Sequence, residues 1–154
     1  MDVVILIGSR SDRPVMDKAV ELLENFGVPH ELHVTSAHRS PDRTRRIIDE
    51  SIKKGARVFI AAAGLAAHLA GMVAAHTAKP VIGVPMESGP LKGMDALLST
   101  VQMPGGVPVA AMAIGSAGAK NSALLAIRIL ALSDDQLAAK HADYLKKMAE
   151  DSDK

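Results

Sequence analysis

Short apolar runs recur along this chain, and several are apolar at every position rather than at alternate ones. Val3–Ile7 is the first; residues 57–62, centred on Val58, Phe59 and Ile60, and residues 80–84 repeat the pattern. A strand with no polar face is covered on both sides, which is the condition of a strand inside a parallel sheet. Between the runs lie segments of helical spacing. Residues 14–26 place Val15, Ala19, Leu22, Leu23 and Phe26 on one stripe and meet Gly27 where a helix stop belongs. Residues 41–54 carry Ile47, Ile48 and Ile52 and are followed by Gly55. Residues 31–35 alternate and read as a second strand, residues 66–77 as a helix, and residues 107–114 as a fifth strand. Two closing helices are expected at 121–132 and at about 135–148. Strand–helix alternation with right-handed crossovers predicts an α/β fold. It is a three-layer αβα sandwich with a mainly parallel sheet, Rossmann-like or flavodoxin-like.

The 154 residues suit a single domain over 1–154, because two domains would each be too small to bury a core. Lysine and arginine total 18 against 17 acids, so the chain lacks the basic excess of a nucleic-acid or membrane-surface binder. Aromatic residues make up 2%, too few for stacking platforms, and the absence of cysteine removes disulfides, zinc–thiolate sites and thiol nucleophiles. Residues 58–78 hold no acid, lysine or arginine and are long enough to span a bilayer. Their alanines, two glycines and two histidines nevertheless read as strand, turn and buried helix. No signal-peptide pattern opens the sequence, and the expected location is cytoplasmic.

A second stretch, residues 96–119, is also without charge. Two such stretches exceed what one small core needs, and charge depletion marks interface cores, so a homo-oligomer is expected.

Ligands of open α/β sheets bind beyond the carboxyl ends of the strands, so the loops there are the candidate site. Gly8, Ser9, Arg10, Ser11 and Asp12 follow the first strand. Gly8 permits a tight turn, the serines offer hydroxyls, and free N–H groups at a helix start favour phosphate. Capping accounts for Asp12 and Pro14 but leaves both serines and the arginine unexplained. Ser36, Ala37, His38, Arg39, Ser40 and Pro41 follow the second strand. Capping explains Ser40 and Pro41; it does not explain an arginine, whose fork suits phosphate, beside a histidine able to exchange a proton near neutral pH. Gly64, Leu65, His68 and Leu69 belong to a third loop whose small residues admit a ligand ring. There is no GxGxxG, P-loop, HExxH or GxSxG pattern and no carboxylate pair positioned for glycoside chemistry, so no dinucleotide, nucleoside triphosphate or metal ligand set is indicated.

GSRSD, SAHRSP, AAAGLAAHLAGM, GVP, VQMPGGVPVA and GSAGAKNSALLA, in that order, resemble the PurE family of de novo purine synthesis across nearly the whole chain. The resemblance implies an octamer of αβα sandwiches with active sites built from neighbouring subunits. It implies interconversion of N5-carboxyaminoimidazole ribonucleotide and 4-carboxy-5-aminoimidazole ribonucleotide without metal, ATP or biotin, carbon dioxide being a transient. By the same resemblance His38 is the catalytic histidine, and Ser9, Asp12 and Arg39 hold the nucleotide. Gly8, Ser11, Ser36, Ala37, Gly64, Leu65, His68 and Leu69 shape the pocket. The family has a mutase class and a class that carboxylates aminoimidazole ribonucleotide directly. Residues 66–69 and 102–104 are similar to the mutases, whereas Leu65 and Ala70 stand where mutases usually have glycine and proline. A non-enzymatic nucleotide-binding module would need the phosphate site but not His38.

Overall fold

The computed structural model describes residues 1–152. Five parallel strands form one sheet: β1 Val3–Ile7, β2 His30–Val34, β3 Val58–Ala63, β4 Val81–Pro85 and β5 Ala110–Ala111, in the order β2-β1-β3-β4-β5. This is the flavodoxin-like order, and the chain reverses direction across the sheet between β1 and β3. β1 pairs along its whole length with both neighbours, Ile7 lying opposite Val34 on one side and Ala62 on the other.

Helices cover both faces, as the unbroken apolar strands require. α1 (Arg13–Phe26), α5 (Ser116–Ala131) and α6 (Asp135–Ser152) lie on one face, where Ile5, Ile7, Met16, Leu23, Ile60, Ile82 and Ile127 form the larger core. α2 (Pro41–Lys53) and α3 (Leu69–His76) pack on the other, against Leu6, Phe59 and Val81. α1 ends at Gly27, whose φ of 73° closes the helix in the left-handed conformation.

Five elements differ from the sequence-based expectation beyond one residue at their ends. Helix α4 (Met94–Val101) was not anticipated, because its apolar residues face outward: Ala96 and Thr100 are buried, while Met94, Leu98 and Val101 are each about half exposed. β5 is only two residues long instead of spanning 107–114, since Pro108 and the glycines before it interrupt pairing. α3 begins at Leu69 rather than 66, because residues 65–68 form tight turns in which the Ala67 and His68 amides donate to the carbonyls of Leu65 and Ala66. α5 begins at Ser116 rather than 121. Gly118 looks like a helix breaker in sequence, but a Cβ there would lie 1.8 Å from the Ala113 carbonyl oxygen, so close packing demands it. α6 also runs past the expected end at 148, carried on by the helix formers Ala149 and Glu150.

The first uncharged stretch is core: Val58, Phe59, Ile60, Ala61, Leu69, Ala70 and Val73 are buried. The second is not. It carries the outward face of α4 and a largely exposed approach to β5. No described helix is long and apolar enough to cross a membrane.

Candidate active site

The loops after β1, β2 and β3 converge at the carboxyl edge of the sheet around a cleft of about 570 Å³. Most of the residues singled out from sequence line it, while Arg10 and Ser40 border the recess beside it. The first loop contributes Gly8, Ser9, Ser11 and Asp12; the second Ser36, Ala37, His38 and Arg39; the third Gly64, Leu65, His68 and Leu69. Parallel pairing is the cause, since it brings the ends of β2, β1 and β3 to one level beside the reversal point.

The first loop folds as a short 3-10 turn, Arg10–Asp12, rather than as a plain helix cap. Asp12 does not cap α1. Its carboxylate turns back and accepts the Ser9 amide at 3.2 Å, while the Ser9 hydroxyl accepts from the Ser11 amide at 3.3 Å and from the Ser11 hydroxyl at 2.8 Å. Burial pushes the Asp12 carboxyl above its ordinary range, against the pull of the Ser9 amide and Ser11. A carboxylate held at this cost beside a ligand cleft suits hydrogen bonding to sugar hydroxyls.

The second loop is also tied to itself. Ser40 makes no side-chain cap on α2; its hydroxyl donates to the Ser36 carbonyl at 3.2 Å, and the Ser36 hydroxyl accepts the Arg39 amide at 3.2 Å. Beneath it Thr35 and Thr44 share a buried hydroxyl–hydroxyl bond of 2.8 Å, which fixes the start of α2 against β2. This anchored turn holds His38 and Arg39 out in solvent, and among the described residues the Arg39 guanidinium has no carboxylate partner. A side lobe of about 400 Å³ adjoins the cleft and adds Arg10 and Arg43 to Arg39. Three guanidinium groups around one recess suit a phosphate.

In the third loop His68 lies across from His38, with ring centroids 5.2 Å apart and planes tilted by 34°. His68 immediately precedes α3, which has no side-chain cap and no acid in its first turn, so its leading amides keep their affinity for an anion. Leu65 holds a φ of 57°, in the left-handed region that glycine adopts freely. Ala70 is the second residue of α3, a place where alanine and proline both fit.

Ala63 and Ala66 line the cleft as part of the third loop; sequence reasoning missed Arg43 and Ser88. Arg43 stands one turn into α2 and looks like an ordinary surface charge; its guanidinium donates to the Val34 carbonyl at 2.7 Å. Ser88 comes from a fourth loop, after β4, and reaches the site because Gly64 has no side chain: a Cβ there would lie 2.0 Å from the Ser88 hydroxyl oxygen. Among the described residues no cluster of three or more His, Asp or Glu side chains could hold a metal ion.

At the carboxyl edge of this αβα sandwich, an arginine-lined recess, two facing imidazoles and the small apolar residues of the third loop share one cleft, where open α/β sheets bind their ligands. The chain belongs to the AIR carboxylase family, whose pattern it matches over residues 2–151. It is 53% identical over 97% of its length, and 90% of the relative's, to the N5-carboxyaminoimidazole ribonucleotide mutase of Saccharolobus solfataricus. It is 48% identical to the mutase of Escherichia coli K12, again over 97% of this chain and 88% of that one. The crystal structure of Treponema denticola PurE superimposes with a TM-score of 0.88 at 29% identity, covering 97% of this chain and 92% of that one.

Proposed function

We propose that this protein is an N5-carboxyaminoimidazole ribonucleotide mutase of purine biosynthesis, a cytoplasmic isomerase that moves a carboxyl group from nitrogen to carbon. The observation that carries this reading is identity of about half the residues, along nearly the whole chain, with relatives bearing that name. The cleft supplies the means. The nucleotide phosphate takes the recess of Arg39, Arg10 and Arg43; Asp12 and the serines of the first loop take the ribose; the aminoimidazole lies over Gly64, beside the His38–His68 pair.

The chemistry balances within the substrate. The carbamate N–C bond breaks, its electron pair returns to the exocyclic nitrogen, and that nitrogen takes a proton as carbon dioxide separates. The electron-rich C4 carbon then attacks carbon dioxide, a C–C bond forms, and the C4 proton leaves to restore aromaticity. His38 gives the first proton and receives the second. The step consumes no ATP and calls for neither metal nor biotin. The half-exposed apolar row of α4, with Leu91 beside it, fits assembly into a homo-oligomer, the octamer that the family resemblance implies.

The test offers purified protein the carbamate, or aminoimidazole ribonucleotide with bicarbonate, at equal concentration. Efficient use of the carbamate supports the mutase. Efficient use of the second pair alone identifies direct carboxylation, and turnover of neither leaves a nucleotide-binding module.

A further inference from the structure

Helix α6 lies on the rest of the molecule along one narrow stripe. Among its described side chains Leu137 alone is buried, His141 and Tyr144 are half-buried, and the others are exposed. The three fall at helical spacing and so share a face. That face meets the end of α1 and the last turns of α5. The Phe26 ring, at the end of α1, lies 5.6 Å from the Tyr144 ring at an angle of 61° and 6.4 Å from the His141 imidazole. The His141 and Tyr144 rings lie 6.4 Å apart with planes 24° from parallel. Lys140 adds a polar tie, its ammonium donating to the Phe26 carbonyl at 3.2 Å.

One contact in the stripe depends on a proton. Arg128 of α5 donates from Nε to His141 Nε2 at 3.2 Å. A guanidinium stays charged and can only donate, so this bond requires a neutral imidazole with its proton on Nδ1. A proton on Nε2 removes the acceptor and sets two like charges at hydrogen-bond distance. α1 meets the imidazole with the Phe26 ring and α6 with Tyr144, while Arg128 of α5 is the charged group whose field reaches it. On α6 itself the Asp143 carboxylate is paired with Lys146, and Lys140 is turned to Phe26. Burial, and after it the Arg128 charge, push His141 below its ordinary value.

We propose that the His141–Arg128 contact is a pH-sensitive latch, which holds α6 on α1 and α5 at neutral pH and loosens it on acidification. Once α6 is undocked, its imidazole titrates at the ordinary histidine value and takes the proton more readily than the docked ring. Docking is therefore strongest above that ordinary value and weakens as pH falls from there toward the lower value of the docked ring. The buried Asp12 carboxyl shifts stability in the opposite direction, so the latch is read on α6 itself rather than from global unfolding.

The experiment measures amide hydrogen exchange over residues 135–152 from about pH 8 to about pH 5, corrected for the intrinsic pH dependence of exchange and referred to the amides of the sheet. It compares the wild type with His141→Gln, whose side-chain oxygen can still accept from Arg128 but does not titrate, with His141→Leu, which packs without bonding, and with Arg128→Gln. The wild type is expected to lose protection over 135–152 several-fold as pH falls through the histidine range. Both His141 variants are expected to show no such loss, whatever their protection at neutral pH. Arg128→Gln is expected to respond more weakly than the wild type, with its onset at higher pH. Wild-type protection that stays level across the range overturns the latch, and so does an equal loss in the His141 variants.

Discussion

The imidazole rings of His38 and His68 face each other at 5.2 Å between centroids, although 30 residues separate them in the chain and they come from loops after different strands. The two imidazoles touch each other, so an aminoimidazole bound at this edge meets them from one side and has two ring nitrogens within reach instead of one. His38 is carried on a turn braced by Ser36 and Ser40, whereas His68 precedes a short helix. We expect His68→Asn to lower kcat about tenfold and to leave substrate affinity near normal, a smaller loss than the full effect of removing a general acid–base group. Steady-state kinetics with a binding measurement checks it; an unchanged kcat would place His68 outside the reaction.

Arg39→Ala is expected to act on binding. Loss of a charge-assisted contact to phosphate costs about 1.5–3 kcal/mol, which is roughly tenfold to a hundredfold in affinity. Calorimetric titration with the nucleotide measures it directly. Unchanged affinity would remove Arg39 from the phosphate recess and leave Arg10 and Arg43 to hold it.

The buried Asp12 gives a prediction about pH. Its folded carboxyl titrates above its unfolded value, so the native state binds the extra proton between the two values. Stability contributed by Asp12 is therefore greatest at acid pH and declines as pH rises through that window. Asp12→Asn removes the buried charge and keeps an acceptor for the Ser9 amide. It should unfold at the same or a higher temperature than the wild type at neutral pH, with that advantage shrinking on acidification, while losing nucleotide affinity. A variant less stable at neutral pH than at acid pH, relative to wild type, would contradict the assignment.

How the sequence encodes this site is clearest in its loops. The strands β1 and β3 are legible because no polar residue interrupts them, and once they are parallel the following loops must meet at one edge. That is why Ser9, His38, Arg39 and His68 could be gathered before any coordinates. Helix α4 was hidden because Met94, Leu98 and Val101 point outward, the reverse of the amphipathic rule for a solvent-facing helix. Ser88 was hidden because its place depends on the absence of a side chain at Gly64, a fact about packing that no local pattern carries.

The same outward face bears on assembly. Leu98 is 53% exposed beside Met94 and Val101 in a segment without charge. In the proposed homo-oligomer, Leu98→Glu should break assembly, and activity should fall with it if neighbouring subunits complete the site. Sedimentation at micromolar protein reads the outcome. A wild type that is already a monodisperse, active monomer would defeat both expectations.

The account turns on His38 as the group that carries the proton between nitrogen and C4. Its most direct test measures carbamate isomerisation and nucleotide affinity together for the wild type and His38→Asn. The predicted result is a fall in turnover of about a hundredfold or more, as for removal of a general acid–base group, with affinity retained and Arg39 still holding the phosphate. A variant that isomerises the carbamate at near wild-type rate would contradict the account.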